Sequence, residues 1–168
     1  MNATSQPDPR GSADGLVFRV ATTADLSQLA LWNQQLIEDE GHDNTMSLEE
    51  LAARMRTWLT TEYQAMVFEG PAAPTPAAYA LFRRTPEWIH LRQFFVARDR
   101  RRRGIGARAV ALLRAEVFPP GKSVIVEAMA WNHAALSFWR AVGFADRYVG
   151  LESRPEESTQ RSSRSLSP

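Results

Sequence analysis

Apolar and polar residues recur along this chain with two different periods, which predict a mixture of helices and strands. Apolar residues spaced three and four apart predict a helix over residues 25–41. Ser47 and Glu50 form a capping box, which predicts a second helix that ends near Leu59. Shorter apolar and β-branched runs predict four strands, at residues 16–21, 63–68, 77–84 and 88–96.

After the fourth of these strands the pattern alternates between helix and strand. Apolar residues at helical spacing cover 105–117, and a β-branched run covers 123–129. Asn132 is a good N-cap for the next helix, which Gly143 ends, and residues 144–151 predict a last strand. We therefore expect an α/β fold: a single domain with a mixed, mostly antiparallel sheet of six to seven strands, flanked by about four helices.

The segment between the fourth strand and the following helix, Arg101-Arg102-Arg103-Gly104-Ile105-Gly106, combines arginine with glycine. Glycine lets backbone N–H groups point toward a ligand, and a helix N-terminus carries about half a positive charge. The segment therefore predicts a site for an anion, specifically a pyrophosphate. A solvated turn, or a patch for nucleic acid or acidic partners, is the alternative for such a run. The formal net charge of +1 argues against nucleic acid.

Two motifs in this order resemble the GNAT-type N-acetyltransferase superfamily. The acyl-CoA signature of that family, Arg or Gln, two residues, Gly, one residue and then Gly or Ala, matches residues 101–106. Its later signature, an Asn, an Ala three residues on, an aromatic pair and Gly-Phe, matches Asn132, Ala135, Phe138-Trp139 and Gly143-Phe144. The resemblance follows the order of elements from Val17 to Leu151, and it is specific between Leu91 and Phe144.

The resemblance implies acetyl-CoA as a co-substrate, with its pantetheine arm in a gap between the fourth and fifth strands. Backbone groups of Phe95 and Val96 would hold that arm, and Asn132 would bond it while capping its helix. Backbone N–H groups of the loop would hold the pyrophosphate. The implied cofactor-binding residues are Phe95, Val96, Arg101, Arg102, Arg103, Gly104, Ile105, Gly106, Ala107, Asn132, Ala135, Phe138 and Trp139.

Trp139 departs from the family pattern, because many members have a tyrosine there that is proposed to protonate the departing thiolate. An indole N–H donates a hydrogen bond but does not serve as a general acid near neutral pH. A tryptophan on an apolar helix face is more often part of the core. We therefore do not assign Trp139 as the acid, although it remains a candidate neighbour of the CoA sulfur.

Three carboxylates are candidates for the catalytic base that would deprotonate an amine. Glu38 and Glu40 end the first predicted helix on either side of Asp39, where negative charge opposes the helix dipole, but such an acidic run is commonly just solvated. Glu127 interrupts an apolar strand, so it is either buried with a raised pKa or directed into the cleft. We expect no metal site, because no metal-ligand spacing relates the histidines, His42, His90 and His133.

Composition narrows the class of protein. The chain contains no cysteine, which excludes disulfides and thiolate metal sites within it, and no apolar run is long enough for a membrane span. The first residues lack the pattern of a signal peptide, so a cytoplasmic location is the default expectation. Residues 1–14 and 153–168 are polar and predict disordered tails on either side of an N-acetyltransferase domain over 15–152.

Two function classes follow from the resemblance. The first is an N-acetyltransferase that transfers acetyl from acetyl-CoA to a primary amine by direct attack on the thioester. The acidic residues 38–40 favour a small cationic molecule as the acceptor. The second is an acyl-CoA-binding regulatory or sensor module with little turnover, which Trp139 keeps open. We expect neither nucleic acid nor membrane as a partner, and the resemblance leaves a homodimer open because many relatives dimerise.

Overall fold

Six strands form one sheet, in which they lie in the order of the chain. The structure is a computed structural model that describes residues 12–13, 15–70 and 75–153. Neighbouring strands are antiparallel except for the last pair, which is parallel. The strands are β1 (Ser12–Ala13), β2 (Leu16–Val20), β3 (Tyr63–Glu69), β4 (Pro76–Arg84), β5 (Trp88–Val96) and β6 (Ser123–Val126).

Four α-helices accompany the sheet: α1 (Leu26–Glu40), α2 (Leu48–Thr60), α3 (Ile105–Leu112) and α4 (His133–Ala141). A 3-10 turn precedes α1, and a π-helical turn over Leu113–Val117 extends α3. The predicted capping box of α2 is confirmed. The Ser47 hydroxyl accepts from the Glu50 N–H at 3.2 Å, and the Glu50 carboxylate accepts from the Ser47 N–H at 2.7 Å. Together these bonds satisfy two backbone donors at the start of the helix.

The sheet is apolar on both faces, and a pair of helices packs against each. One face packs against α3 and α4, with Phe82 and Trp139 among the buried residues. The opposite face packs against α1 and α2, where the rings of Trp32 and Tyr79 stack at 5.9 Å. Because both of its faces are covered, β4 is buried continuously over residues 77–82.

A β-bulge at Arg92 changes which face the side chains of β5 reach, since the pairing of β5 with β4 skips one residue there. Before the bulge, Ile89 and Leu91 belong to the core under α3 and α4, whereas after it Phe95 belongs to the core under α1 and α2. The adjacent side chains of Arg92 and Gln93 therefore both contact the α1–α2 side.

The predicted fold class is confirmed: an α/β arrangement with four helices and a mixed, mostly antiparallel sheet. The predicted closing strand over 144–151 is wrong, and only the two-residue β1, which the sequence pattern does not predict, brings the count to six. The segment 144–151 forms no ladder with β6, because charged residues interrupt its apolar run and Asp146 pairs with Arg140 at 2.7 Å. The strand predicted over 123–129 ends at Val126.

Most of the two predicted tails falls outside the described residues. Within the N-terminal one, Ser12–Ala13 pairs with β2 as β1, so the sheet begins before residue 15. Residues 1–11, 14 and 154–168 lie outside the description. The disorder expected for the tails and the domain limits at 15 and 152 therefore stay predictions.

Candidate functional site

A cleft of about 1290 Å³ opens between the α1–α2 pair, the bulged part of β5 and the outer side of β6. The helices contribute apolar, acidic and basic side chains, while the bulge directs two polar side chains of β5 into the same space. Side chains that reach the cleft include Asn33, Glu40, Arg54, Trp58, Arg92, Gln93, Glu127, Trp131 and Trp139. Two of the three candidate bases, Glu40 and Glu127, thus line the same cavity as Trp139, the candidate neighbour of the sulfur, whereas Glu38 does not line it.

Strands β5 and β6 separate beside this cleft. Their parallel pairing runs from Trp88 opposite Ser123 to Leu91 opposite Val126. There β6 ends, whereas β5 continues to Val96. Over residues 92–96 the outer backbone edge of β5 therefore faces no strand in the described part of the chain. Backbone N–H and C=O groups on such an edge can bind an amide-containing ligand that lies alongside as an extra strand.

The loop after β5 ends in a helix N-terminus without a side-chain cap. Gly104 is the N-cap of α3 and has a φ of +75°, and Arg102 has a φ of +63°, which is uncommon for a residue with a side chain. Left-handed residues this close together turn successive N–H groups toward one side of the loop. With the partial positive charge of the helix end, these donors form a site suited to phosphate.

The arginines of this loop have two different environments. Arg101 donates from Nε to the Val96 carbonyl at 2.9 Å and pairs with Asp39 at 2.5 Å. Arg98 pairs with Asp39 at 2.7 Å and with Glu38 at 2.8 Å. These contacts hold the loop against the last turn of α1, so Arg101 is engaged with protein groups.

Arg102 and Arg103 are exposed at the tip of the loop. Neither forms an ion pair with any of the described residues, and the Arg103 carbonyl accepts a hydrogen bond from the Arg108 guanidinium at 3.1 Å. Of the arginines that the sequence motif singles out, these two therefore have charges that a phosphate group can reach.

Glu40 differs from the two acidic residues before it. Its side chain is half-buried in the cleft, makes no ion pair with the described residues, and burial raises the pKa of its carboxyl. Burial alone would also raise the pKa of Asp39, but hydrogen bonds from Arg98 and Arg101 outweigh it and hold that pKa below its usual value. Of this acidic run, Glu40 is the carboxylate best placed to accept a proton in the cleft.

Glu127 lies one residue after β6 and is exposed on the wall of the cleft, so the buried alternative does not apply. Its carboxylate accepts from the Tyr148 hydroxyl at 2.9 Å and lies 4.0 Å from Nε2 of His90. Burial lowers the pKa of His90, which keeps the imidazole neutral at pH 7. Glu127 thus reaches the cleft, but it is bonded to the 144–151 segment.

The second glycine of the loop motif has a packing role. A Cβ added to Gly106 would lie 3.0 Å from Cε2 of Phe138, so glycine lets α3 approach the aromatic pair of α4 closely. The Phe138 ring stacks on Phe94 at 5.8 Å. Trp139 is 8% exposed and packs among aromatic rings, those of Phe94, Phe138 and Phe144. Trp139 is therefore a core residue whose edge borders the cleft.

The loop between β6 and α4 bridges the two sides of the cleft. The predicted N-cap is confirmed, since the Asn132 Oδ1 accepts from the Ala135 N–H at 3.0 Å. Just before it, the Trp131 Nε1 donates to the Glu40 carbonyl at 2.9 Å. No local pattern predicts this bridge, because its partners lie 91 residues apart in the chain.

A buried polar chain that the sequence analysis did not identify runs from the sheet into α1. The Tyr79 hydroxyl donates to Oε1 of Gln93 at 3.0 Å, and Nε2 of Gln93 donates to Oδ1 of Asn33 at 2.6 Å. Asn33 is fully buried, and its Nδ2 finds no acceptor among the described residues. The available signal was a polar residue on the apolar stripe of the first helix.

Two arginines of the cleft, Arg54 of α2 and Arg92 of β5, were also not identified. Their guanidinium carbons lie 4.7 and 4.8 Å from the centroid of the Trp58 ring. Neither arginine has a carboxylate partner within the described residues. Arg54 follows Leu51 on the buried side of α2, so its position on that side was the signal that the sequence offered.

Residues 12–13, 15–70 and 75–153 contain no group of three or more His, Cys, Asp or Glu side chains that could hold a metal ion. No helix in these ranges has the length and the apolar content that a membrane span requires.

Comparison with protein families gives one match for this sequence. The sequence model of the acetyltransferase (GNAT) family matches residues 31–144, which is more than half of the chain. The match includes α2, strands β3 to β6, the loop before α3 and both signature motifs. No curated protein sequence matches the chain.

Several solved structures are similar in fold. An aminoglycoside acetyltransferase from an uncultured soil metagenomic sample, in complex with sisomicin, is 15% identical with a TM-score of 0.63, over 86% of this chain and 98% of that one. The ribosomal-protein-alanine N-acetyltransferase of Brucella melitensis biovar Abortus 2308 is 11% identical with a TM-score of 0.66, over 83% and 99%. A predicted acetyltransferase with acetyl-CoA from Clostridium acetobutylicum is 17% identical with a TM-score of 0.62, over 83% and 96%. At these identities the likeness shows the fold alone.

Proposed function

The chain belongs to the acetyltransferase (GNAT) family, and from this premise we propose that it is an N-acetyltransferase that moves acetyl from acetyl-CoA to the primary amine of a small molecule. The observation that carries the proposal is the free edge of β5 over 92–96, which leads directly into the uncapped N-terminus of α3. An arm with amide groups has partners along that edge, and a pyrophosphate has partners at Gly104 and the N–H groups that follow.

Within this proposal the CoA-binding residues have distinct tasks. Backbone groups of Phe95 and Val96 face the pantetheine arm, except that the Val96 carbonyl is shared with Arg101. The N–H groups of residues 101–107 hold the pyrophosphate. Arg102 and Arg103 supply charge at the tip. The adjoining wall is formed by residues of α4 and its cap, Asn132, Ala135, Phe138 and Trp139.

Glu40 is the base that the geometry supports best. The amine nitrogen attacks the carbonyl carbon of the thioester, its proton passes to the Glu40 carboxylate directly or through water, and CoA departs as a thiolate that takes a proton from solvent. A raised pKa makes this carboxylate a stronger base than a free glutamate. Glu38 is paired with Arg98, and Glu127 accepts from Tyr148, so both are less available.

Calorimetry of acetyl-CoA binding to wild type and to Gly104→Asp tests the proposal. Aspartate places a negative charge where phosphate binds, so we expect at least about a tenfold loss of affinity. Gly121→Asp is the matched control. Gly104 and Gly121 have left-handed φ values of +75° and +80°, and an added Cβ meets no atom within 4 Å at either position. Failure of wild type to bind, or equal loss in both variants, would contradict the proposed site.

Release of the CoA thiol with a panel of primary amines then separates an enzyme from a binding module. An enzyme releases thiol in proportion to an amine acceptor, whereas a regulatory module binds acetyl-CoA and releases thiol no faster than solvent hydrolysis does. The family match and the half-buried carboxylate of Glu40 in the cleft support the enzyme.

A further inference from the structure

The guanidinium groups of Arg54 and Arg92 line the cleft without a carboxylate partner among the described residues. The guanidinium carbons of Arg54 and Arg92 both lie against the Trp58 ring, 4.7 and 4.8 Å from its centroid. Stacking on an aromatic face stabilises a guanidinium but leaves the N–H groups at its edge free to bind an oxyanion. The two arginines therefore present an unused set of planar donors to the cleft.

Burying the guanidinium group of Arg54 in this environment is unfavourable in free energy unless a bound ligand provides a partner for it. Its Nε is buried and has no hydrogen-bond acceptor among the described residues. Burial lowers the pKa of Arg54, and the charge of Arg92 nearby lowers it further. Buried donors without partners and like charges held together are both unfavourable, and a bound anion relieves both.

The β-bulge explains how the second arginine reaches this place. On a regular strand Arg92 and Gln93 would point to opposite faces of the sheet. The bulge directs both toward α1 and α2, where Arg92 meets Trp58 and Gln93 bonds Asn33. Bulges recur next to binding sites because they re-aim side chains in this way.

A further donor without an acceptor belongs to a residue of the same cleft wall. Asn33 lines it and is fully buried, and its Oδ1 already accepts from Gln93. This bond leaves the Nδ2 group as the free end of the side chain, without an acceptor within the described ranges. The walls of the cleft thus contain guanidinium donors from α2 and β5 and a buried amide donor from α1.

We propose that Arg54 and Arg92 form an oxyanion-binding subsite in the cleft, so that the acceptor is a primary amine that also carries a carboxylate or a phosphate. The proposal rests on the proposed acetyltransferase function and names the class of its acceptor. Glu40 is the base for the amine, while the arginines hold the anionic group.

This subsite revises the acceptor that the acidic run suggested. Glu38 and Asp39 form ion pairs with Arg98, and Asp39 also with Arg101, so those two carboxylates do not present free negative charge to a polycation. Among the residues that α1, α2 and β5 contribute to the cleft, the charged ones are instead Glu40, Arg54 and Arg92. A zwitterionic acceptor satisfies both kinds of charge.

Four acceptors in two matched pairs test the proposal: an α-amino acid and its carboxamide, and an aminoalkyl phosphate and its parent amino alcohol. With wild type we expect kcat/KM for at least one anionic member to exceed that of its neutral partner by about tenfold or more. A preference in the amino acid pair identifies the bound anionic group as a carboxylate, and a preference in the other pair identifies it as a phosphate. Arg54→Gln and Arg92→Gln should each abolish the preference, mainly through KM. Arg56→Gln, an exposed position on the same helix, should retain it.

If none of the four compounds is acetylated, calorimetric titration with and without CoA measures the affinity of each. The difference in affinity between the anionic and the neutral member of each pair then tests the subsite. Neutral and anionic partners that are used and bound equally would overturn the subsite, as would a preference that survives both arginine substitutions. A lowered Tm in Arg54→Gln with the preference intact would show that the arginine only packs on Trp58. Acetyl-CoA binding to wild type, measured separately, distinguishes these outcomes from failure of the proposed function.

Discussion

The loop that leads from β5 into α3 and the cleft beside α1 and α2 hold their binding groups in different ways. In the loop the donors are backbone N–H groups, oriented by the left-handed conformations of Arg102 and Gly104. In the cleft they are side chains from different elements, among them Glu40, Arg54 and Arg92. A backbone site tolerates most side-chain changes, whereas a side-chain site changes with one substitution. Acceptor specificity can therefore diverge on this scaffold while CoA binding is kept.

Asp39 joins the two regions. It lies in the last turn of α1, beside Glu40, and its carboxylate pairs with Arg98 and Arg101 of the loop. The same turn is bonded from the other side by Trp131, which donates to the Glu40 carbonyl. A change at Asp39 should therefore affect both the loop and the cleft.

Glu40→Gln should have the largest effect, and it should act on the cleft alone. Loss of a general base lowers kcat by about 100-fold, while the Kd of acetyl-CoA stays unchanged. In wild type, kcat should rise as the pH increases through the raised pKa of Glu40, because only the deprotonated carboxylate accepts a proton. The variant should lack this limb of the pH profile. Initial rates and calorimetry measure both quantities.

Glu49→Gln is the control for that prediction, since Glu49 is exposed in the first turn of α2. Its kinetics should match wild type. A Glu40→Gln enzyme that keeps both its kcat and its pH limb would exclude Glu40 as the base and return attention to Glu127.

Gly106→Ala should act on the CoA side alone. The new Cβ would lie 3.0 Å from Cε2 of Phe138, which costs about 1–3 kcal/mol as overpacking, offset by up to about 1 kcal/mol of helix propensity. We expect a net loss of about 1 kcal/mol in the free energy of unfolding and weaker acetyl-CoA binding, with acceptor preference unchanged. Urea denaturation gives the stability. Adding Phe138→Leu should restore part of it, and no restoration would contradict the contact.

Asp39→Asn should have the smallest effect and should act on both regions. Its ion pairs are largely exposed to solvent and therefore weak, so we expect acetyl-CoA affinity to fall by about threefold, and less at high salt. Hydrogen bonds from Arg98 and Arg101 hold the pKa of Asp39 below its unfolded value against the effect of burial. Its stabilisation is therefore present above the usual Asp range and is lost as the pH falls through the lowered pKa.

The free energy of unfolding of wild type and of Asp39→Asn, measured across acidic pH, tests this pH dependence. The difference between the two proteins should disappear at low pH. Asp43→Asn, an exposed position just after α1, is the matched control and should behave as wild type throughout. A difference that grows toward low pH would contradict the pairing.

The sequence by itself determined the elements and the loop because their causes are local. Helix starts follow from side chains that bond backbone groups three residues away, as Ser47 and Asn132 do. The left-handed turn at Gly104 follows from the absence of a Cβ. The family resemblance rests on the same contiguous residues, and the family match confirms it.

The closing strand shows where local pattern stops being sufficient. Residues 144–151 contain enough apolar positions to predict a strand, but a strand exists only if its backbone bonds to a neighbour. Here side-chain contacts to α4 and to Glu127 hold the segment instead. The spacing of apolar residues does not indicate whether strand pairing or such side-chain contacts will hold a segment.

Only the tertiary structure decided the chemistry of the cleft. Asn33, Arg54 and Arg92 are far apart in the chain, and they meet because two helices cover one face of the sheet and a bulge re-aims β5 toward them. The position of a bulge depends on how β4 and β5 pair, and the burial of an arginine depends on what packs over it. Local propensity determines which elements form, whereas long-range packing determines which side chains share a site.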